Sequence, residues 1–346
     1  MSSMTPRGPL QADLENLGIP VSSLGMRRGV PDFRGIVRLT RLLRREQPAV
    51  LHTHMVHANL LGRICRLFAR VPVVISTAQN ISEGGRWREW AYRATDFLAD
   101  FTTNVSEAAV ARYIQIGAVP ARKLKMIPNG VQVERYRTST QSRLNRRTEL
   151  GFNDQFVWLA VGRLETQKDY PNLLTAMSRL KDRNHILLIA GNGPLHDSME
   201  KLAAELGISQ QVRFLGIRKD VPQLMAAADA YVMSSAWEGL PMVLLEAGAS
   251  ALPIVTTAVG GNDEIVHHGV NGFLVSAKNS NALADAMRRM ELLSTESRLA
   301  MGLVGRDHVA KHYSLSAVVD QWEELYLSLL QRKCADIPYA QSTSRA

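Results

Sequence analysis

One unit recurs through the second half of this chain and constrains its fold more than anything else: a short apolar run, a turn rich in glycine or charge, then a helix-forming stretch. Val157–Val161 enters Gly162-Arg163, and Ile186–Ile189 enters Gly191-Asn192-Gly193-Pro194. Val212–Leu215 enters Gly216, and Ala230–Met233 leads to Trp237-Glu238-Gly239. Strands alternating with helices signal a parallel α/β architecture. The first half shows the same alternation. Extended runs at Ile19–Leu24, Ala49–His52, Val71–Thr77, Phe101–Val105 and Leu124–Ile127 lie between helical stretches at 10–17, 33–46, 58–69, 87–98 and 107–116.

The polar, charged segment Arg135–Arg147 marks a linker or an exposed helix start. The expected domains are residues 1–135 and 136–315. A C-terminal helix over 316–332 is expected to pack back toward the first domain, and the polar tail 333–346 is expected to be disordered. A chain of 346 residues can bury two cores of this kind.

Only Cys65 and Cys334 are present. That argues against a disulfide framework or a zinc site, and for a reducing compartment. No leader with a cleavage site is visible, and no apolar run approaches the ~18–20 residues of a membrane helix. The expected location is cytoplasmic, peripheral at the inner membrane face.

Charge is uneven. Residues 1–140 hold 20 Lys+Arg against 10 Asp+Glu, while the remainder holds 21 against 22. The densest basic run is Arg27, Arg28, Arg34, Arg38, Arg41, Arg44 and Arg45, with Ile36, Val37, Leu39, Leu42 and Leu43 at helical spacing. A solvated helix face packed on a sheet explains it most simply; contact with an anionic membrane surface is the sharper alternative. No recognition motif supports nucleic acid as a partner.

The chemistry concentrates where Glu238 and Glu246 flank Gly239-Leu240-Pro241-Met242-Val243. Pro241 is expected near the first position of a helix, where its missing N–H costs nothing. A helix start at the carboxyl end of a strand is an anion site, and carboxylates accept hydroxyl hydrogen bonds. Phosphate plus hydroxyls on one ligand describes a nucleotide sugar. Other strand-end loops converge on the same edge. Arg163 and Lys168 supply cations suited to a diphosphate. Gly191 and Gly193 permit close backbone approach, and the backbone at Ile217-Arg218 can meet a base. Each motif alone has a plain structural explanation, as a turn, a surface charge or a solvated helix residue; their order on successive strand ends carries the reading. His52 reads as a satisfied core histidine, with His54 on the same face. Trp237 reads as packing, and Trp87 and Trp90 as core or interface anchors of one helix.

The strings Ile127-Pro128-Asn129-Gly130-Val131, Val161-Gly162-Arg163-Leu164 with Lys168, Gly191-Asn192-Gly193-Pro194, Val212–Gly216, Glu238-Gly239-Leu240-Pro241 to Glu246, and Gly260-Gly261 to Gly272–Val275 resemble the retaining glycosyltransferases of family four. The first half matches from Gly8-Pro9-Leu10 on, including Leu51-His52-Thr53-His54.

The resemblance implies a GT-B fold of two Rossmann-like domains, the first incomplete. It implies transfer of a sugar, with retention, from a nucleotide diphosphate sugar, expected to be UDP-linked. The acceptor would be a hydroxyl on a lipid-linked or polysaccharide precursor. It implies that Arg163 and Lys168 neutralise the diphosphate and that Glu246 holds the ribose. Glu238 and the amides of Gly239, Leu240, Met242 and Val243 would meet the sugar and phosphates, with Gly162, Gly191, Gly193, Ile217 and Arg218 around the nucleotide. His54 would lie near sugar and acceptor. No cofactor beyond the donor is implied and no metal; no Asp-x-Asp motif or metal-ligand cluster is seen.

Family members begin with a strand and a Gly-rich loop that Met1–Arg7 lacks. The expectation is a shortened or misassigned start, or a rearranged first domain in which Ile19–Leu24 pairs beside Ala49–His52. Gln132 stands where many members carry Asp, and Gln79-Asn80 where some carry a histidine pair. A nucleotide-sugar epimerase and a catalytically impaired nucleotide-sugar-binding partner protein are the alternative functions.

Overall fold

The structure is a computed structural model; it describes residues 1–6, 8, 11–27, 32–81, 84–137, 139–152, 154–180 and 184–335. The chain divides into two compact units. The first comprises Met1–Val105, Val110–Ile127 and Gln321–Ala346, and the second Ser106–Ala109 and Pro128–Asp320. Pro9, Leu10, Arg28 and the tail beyond 335 fall outside the described residues.

In the first unit, β1 (Ser2–Ser3), α1 (Gln11–Asn16) and β2 (Ser22–Ser23) precede α2 (Arg34–Glu46). Then follow β3 (Val50–His54), α3 (Val56–Cys65), β4 (Val73–Ala78), α4 (Arg86–Thr95), β5 (Phe101–Asn104), α5 (Glu107–Gln115) and β6 (Leu124–Met126). The sheet runs β3-β4-β5-β6, all parallel. Residues 22–23 pair with Ser2 and Ser3 and not beside β3, which corrects the expected rearrangement.

On α2, Leu39 and Leu43 turn into a core with Leu61, Cys65 and Val74, and Arg41, Arg44 and Arg45 face outward. Tyr92, 1% exposed, carries the buried side of α4 against Val56, Tyr113 and Leu124. Trp87 and Trp90 are 58% and 70% exposed, so they anchor no core of this unit; five and two residues before Tyr92, they fall on the opposite side of the helix.

Arg63 on α3 is fully buried. Its Nε donates to Ser76 Oγ at 3.1 Å, and Nη1 to the Tyr92 carbonyl at 3.0 Å and Thr95 Oγ1 at 3.2 Å. Nη2 donates to Thr102 Oγ1 at 3.0 Å, and the guanidinium lies 4.6 Å from the Tyr92 ring centroid. One side chain thus ties α3, α4, β4 and β5 together through neutral acceptors. Arg63→Ala should destabilise the protein by at least about 1–3 kcal/mol in urea denaturation, because it leaves buried acceptors without their donor. Arg63→Lys should recover little, since an ammonium lacks the planar fork.

The second unit contains α6 (Thr140–Glu149), β7 (Phe156–Val161), α7 (Tyr170–Ser178), β8 (His185–Ala190), α8 (His196–Glu205), β9 (Val212–Phe214) and α9 (Val221–Ala227). It continues with β10 (Ala230–Met233), α10 (Met242–Ala249), β11 (Ile254–Thr257), α11 (Asn262–Ile265), β12 (Gly272–Val275), α12 (Ser280–Leu292) and α13 (Thr295–Tyr313). Helix α14 (Leu315–Ala335) closes the described chain. The parallel sheet runs β12-β11-β10-β7-β8-β9. Its central strands are buried on both faces, with Trp158, Leu187, Val232 and Val255 packed against Leu173, Met177 and Met287 of the flanking helices. That is why they read as continuous apolar runs.

Candidate active site

The strand order of the second unit reverses between β7 and β10. Ligands of such sheets bind outside the carboxyl ends of the strands at that point. From β7 the chain enters Gly162-Arg163 and a tight turn, Thr166–Lys168; from β10 it passes through Ser234–Pro241 to α10. Adjacency of the two strands brings their loops together. The Ala236 amide donates to the Gln167 carbonyl at 2.8 Å, and Ser234 Oγ to the carbonyls of Lys168 and Asp169, each at 2.9 Å.

Lys168 Nζ donates to Glu238 Oε1 at 2.6 Å. Ser235 Oγ donates to the same oxygen at 2.7 Å, and Gln167 Nε2 to Oε2 at 3.1 Å. The side chains of Lys168 and Glu238 are 16% and 6% exposed. Desolvating an ion pair this far is offset only when the remaining lone pairs are also satisfied, and Ser235 and Gln167 do that. Sequence reasoning singled out Lys168 and Glu238 but missed both supporting residues. Their proximity in sequence to Lys168 and Glu238 was the available signal.

Glu246 lies on α10, half-buried. Burial pushes its carboxyl above the usual range, opposed by a hydrogen bond from the Tyr136 hydroxyl and by Arg135. Tyr136 gave no sign in the sequence. Pro241 is the residue before the helix, in extended conformation, and α10 opens at Met242. Pro241 thus stands next to the first helical position, and it is the amides at the head of α10 that lack intrahelical acceptors. Leu240 is buried, Met242 37% exposed and Val243 half-buried.

The glycines allow a close backbone approach, and what approaches them here is a neighbouring loop. Gly191 has φ +149°, and a Cβ there would lie 1.9 Å from the Gly162 carbonyl oxygen. A Cβ at Gly193 would lie 2.4 Å from the Leu164 carbonyl oxygen. The space these glycines leave is filled by the loop after β7, with Leu164 N donating to the Asn192 carbonyl at 3.1 Å. Gly260, at φ +62°, likewise abuts the Glu238 carbonyl, 2.3 Å from where a Cβ would stand.

Arg163 is 70% exposed and pairs with Glu165 at 3.4 Å, so it and the buried Lys168 have quite different surroundings. Ile217 is 80% exposed. Arg218 engages Asp220 through Nε at 2.8 Å and Nη2 at 2.6 Å, which occupies its guanidinium locally. Trp237, expected to pack, is 53% exposed. Among the described residues, His196, Asp197 and Glu200 at the start of α8 bring potential metal-ligand atoms within 4.8 Å of one another, a cluster not seen in the sequence. Asp197 and Glu200 are exposed there.

In the first unit, His52 is satisfied on both sides. Nδ1 is 2.7 Å from Tyr326 Oη and Nε2 2.6 Å from Thr77 Oγ1. Its ring centroid lies 4.5 Å from Trp322 and 4.2 Å from His54. Burial, reinforced by His54, lowers its pKa to about 3, so it stays neutral. His54 shares that face as expected; its Nδ1 is 3.3 Å from Gln79 Nε2, and burial lowers its pKa too. Of the pair, His54 is the one open to solvent.

Residues 142–308 match the family described as glycosyl transferases group 1, and residues 3–130 the glycosyl transferase 4-like domain. The putative glycosyltransferase EpsD of Bacillus subtilis (strain 168) is 30% identical over 292 residues, covering 80% of this chain and 76% of that one. An Escherichia coli UDP-Gal:alpha-D-GlcNAc-diphosphoundecaprenol alpha-1,3-galactosyltransferase is 25% identical over 319 residues, covering 88% and 81%. The crystal structure of Anabaena HepE in complex with UDP superposes with a TM-score of 0.85 at 24% identity, covering 94% of this chain and 91% of that chain. Fold and matches together define a glycosyltransferase of the GT-B class. The chain belongs to the group 1 glycosyltransferase family, with a glycosyl transferase 4-like first half.

Proposed function

We propose that this protein moves a sugar, with retention at the anomeric carbon, from a UDP-sugar to a hydroxyl of a lipid-linked or polysaccharide precursor of the cell envelope. The observation that carries the reading is the buried Lys168–Glu238 pair at the switch point of the second sheet, with Glu246 on the helix that follows. Lys168, with Arg163 at the crevice mouth, meets the diphosphate and stabilises charge on the leaving UDP. Amides at the head of α10 add to that field without a metal ion. Glu246 accepts from the ribose hydroxyls, and Glu238 from hydroxyls of the transferred sugar. His54 serves the acceptor side. The E. coli relative, whose name specifies UDP-Gal and a diphosphoundecaprenol-linked acceptor, supports both the nucleotide and the acceptor class.

Calorimetric titration with UDP tests the nucleotide placement. Glu246→Ala and Lys168→Ala should each weaken UDP by about 1–3 kcal/mol, the worth of a charge-assisted hydrogen bond. Unchanged affinity in both variants would falsify the placement. The pH dependence has a definite sign. Only the ionised carboxylate accepts two hydroxyls, and burial raises the pKa of Glu246 above 4.5. UDP affinity should therefore fall on acidification earlier than an ordinary glutamate would allow, and Glu246→Gln should flatten the profile in that window.

A further inference from the structure

Helix α4 and the turn Asp96–Leu98 that continues it expose three large aromatic side chains: Trp87 at 58%, Trp90 at 70% and Phe97 at 73%. Spacings of three and seven residues put them on one side, and Tyr92 occupies the buried side. Arg86 and Arg93 are exposed beside them, Arg93 with its guanidinium also donating to the carbonyls of Ile116 and Gly117. The acidic groups of this stretch are committed elsewhere. Glu89 accepts from Arg112 Nη2 at 2.5 Å, and Asp96 from Lys123 Nζ at 3.1 Å. The outward side is thus aromatic and positive, in the half of the chain that holds 20 Lys+Arg against 10 Asp+Glu.

We propose that the outward face of α4 docks on an anionic lipid bilayer. An indole carries an apolar body and one N–H donor, which suits the boundary between headgroups and acyl chains. A helix lying there buries its apolar side about 5–10 Å deep while its arginines meet anionic headgroups. No helix among the described residues is long and apolar enough to cross a membrane; the docking proposed is peripheral. The charge complementarity favours a bilayer over a second copy of the chain, whose own α4 face would be equally positive. This face is where a lipid-linked acceptor of the transfer proposed above would be met, and to that extent it rests on that function.

The test is cosedimentation of the full chain with phosphatidylcholine vesicles, with and without phosphatidylglycerol. The wild-type protein should partition onto the anionic vesicles only. Combined Trp87→Ser, Trp90→Ser and Phe97→Ser changes should weaken that partition about tenfold or more, since interfacial binding scales with buried apolar area. These side chains are exposed, so circular dichroism and UDP titration of the variant should match wild type. Arg86→Glu should reduce partition further at low salt. Wild-type protein that ignores phosphatidylglycerol, or a triple variant that partitions equally, overturns the assignment. A wild-type dimer that the triple variant converts to monomer, without vesicle binding, overturns it in favour of a second copy. Vesicle binding without UDP binding would leave the docking face standing and remove the transferase reading.

Discussion

Glu238→Ala should cost at least about 100-fold in sugar transfer, the loss that follows removal of one preorganised electrostatic group from a reacting centre. It should also destabilise the free protein. Lys168 is 16% exposed and has Glu238 as its counter-charge at 2.6 Å. Removing one partner of a buried pair costs about 3–5 kcal/mol in full burial, and the lower end applies where the ammonium can reach the crevice mouth. UDP should offset that loss, because a diphosphate offers Lys168 a new anion. Thermal unfolding with and without UDP should therefore show a larger UDP-induced rise in Tm for Glu238→Ala than for wild type. Full turnover in the variant would remove Glu238 from the reaction. A destabilisation that UDP leaves untouched would remove Lys168 from the diphosphate.

The second large effect is expected from a single methyl group. In Gly191→Ala the new Cβ would stand 1.9 Å from the Gly162 carbonyl oxygen, and the obstacle is backbone, not a flexible side chain. The loops after β7 and β8 must separate, which displaces the segment that leads to Lys168. UDP affinity should fall at least about tenfold, and stability by more than the roughly 1–2 kcal/mol that a left-handed conformation alone costs an L-residue. Gly207→Ala is the control. Gly207 has φ +70° with nothing within 4 Å of its Cβ position, so it should show the conformational cost alone and bind UDP normally. Calorimetry and urea denaturation of the two variants separate steric separation of the loops from local backbone strain. Equal behaviour of the two would refute the backbone contact.

Much of the second unit was legible because its central strands are buried on both faces. Val157–Val161, Ile186–Ile189 and Ala230–Met233 carry no outward polar residues to blur the pattern, and each became a strand. The first unit was harder to read. Residues 22–23 pair with a two-residue strand at Ser2–Ser3 that has no apolar signature at all. Trp87 and Trp90, read as core or interface anchors, proved not to be core, because composition says how apolar a residue is and not which side of a helix its neighbours leave open. At the site, carboxylates and cations could be picked out along the chain, but their partners could not. Nothing local links Tyr136 to Glu246 or Tyr326 to His52.

By itself the sequence determined the alternation of strand and helix, and with it a parallel α/β fold. It also determined which charged residues stand at strand ends, since both follow from patterns a few residues long. Only the tertiary structure decided that β7 lies beside β10, because strand order is set by packing across the whole sheet. That one adjacency brings Lys168 to Glu238 across 70 positions of chain. The pairing of β7 with β8 likewise sets Gly191 and Gly193, just after β8, against the backbone of the loop after β7, making them structural supports of the site.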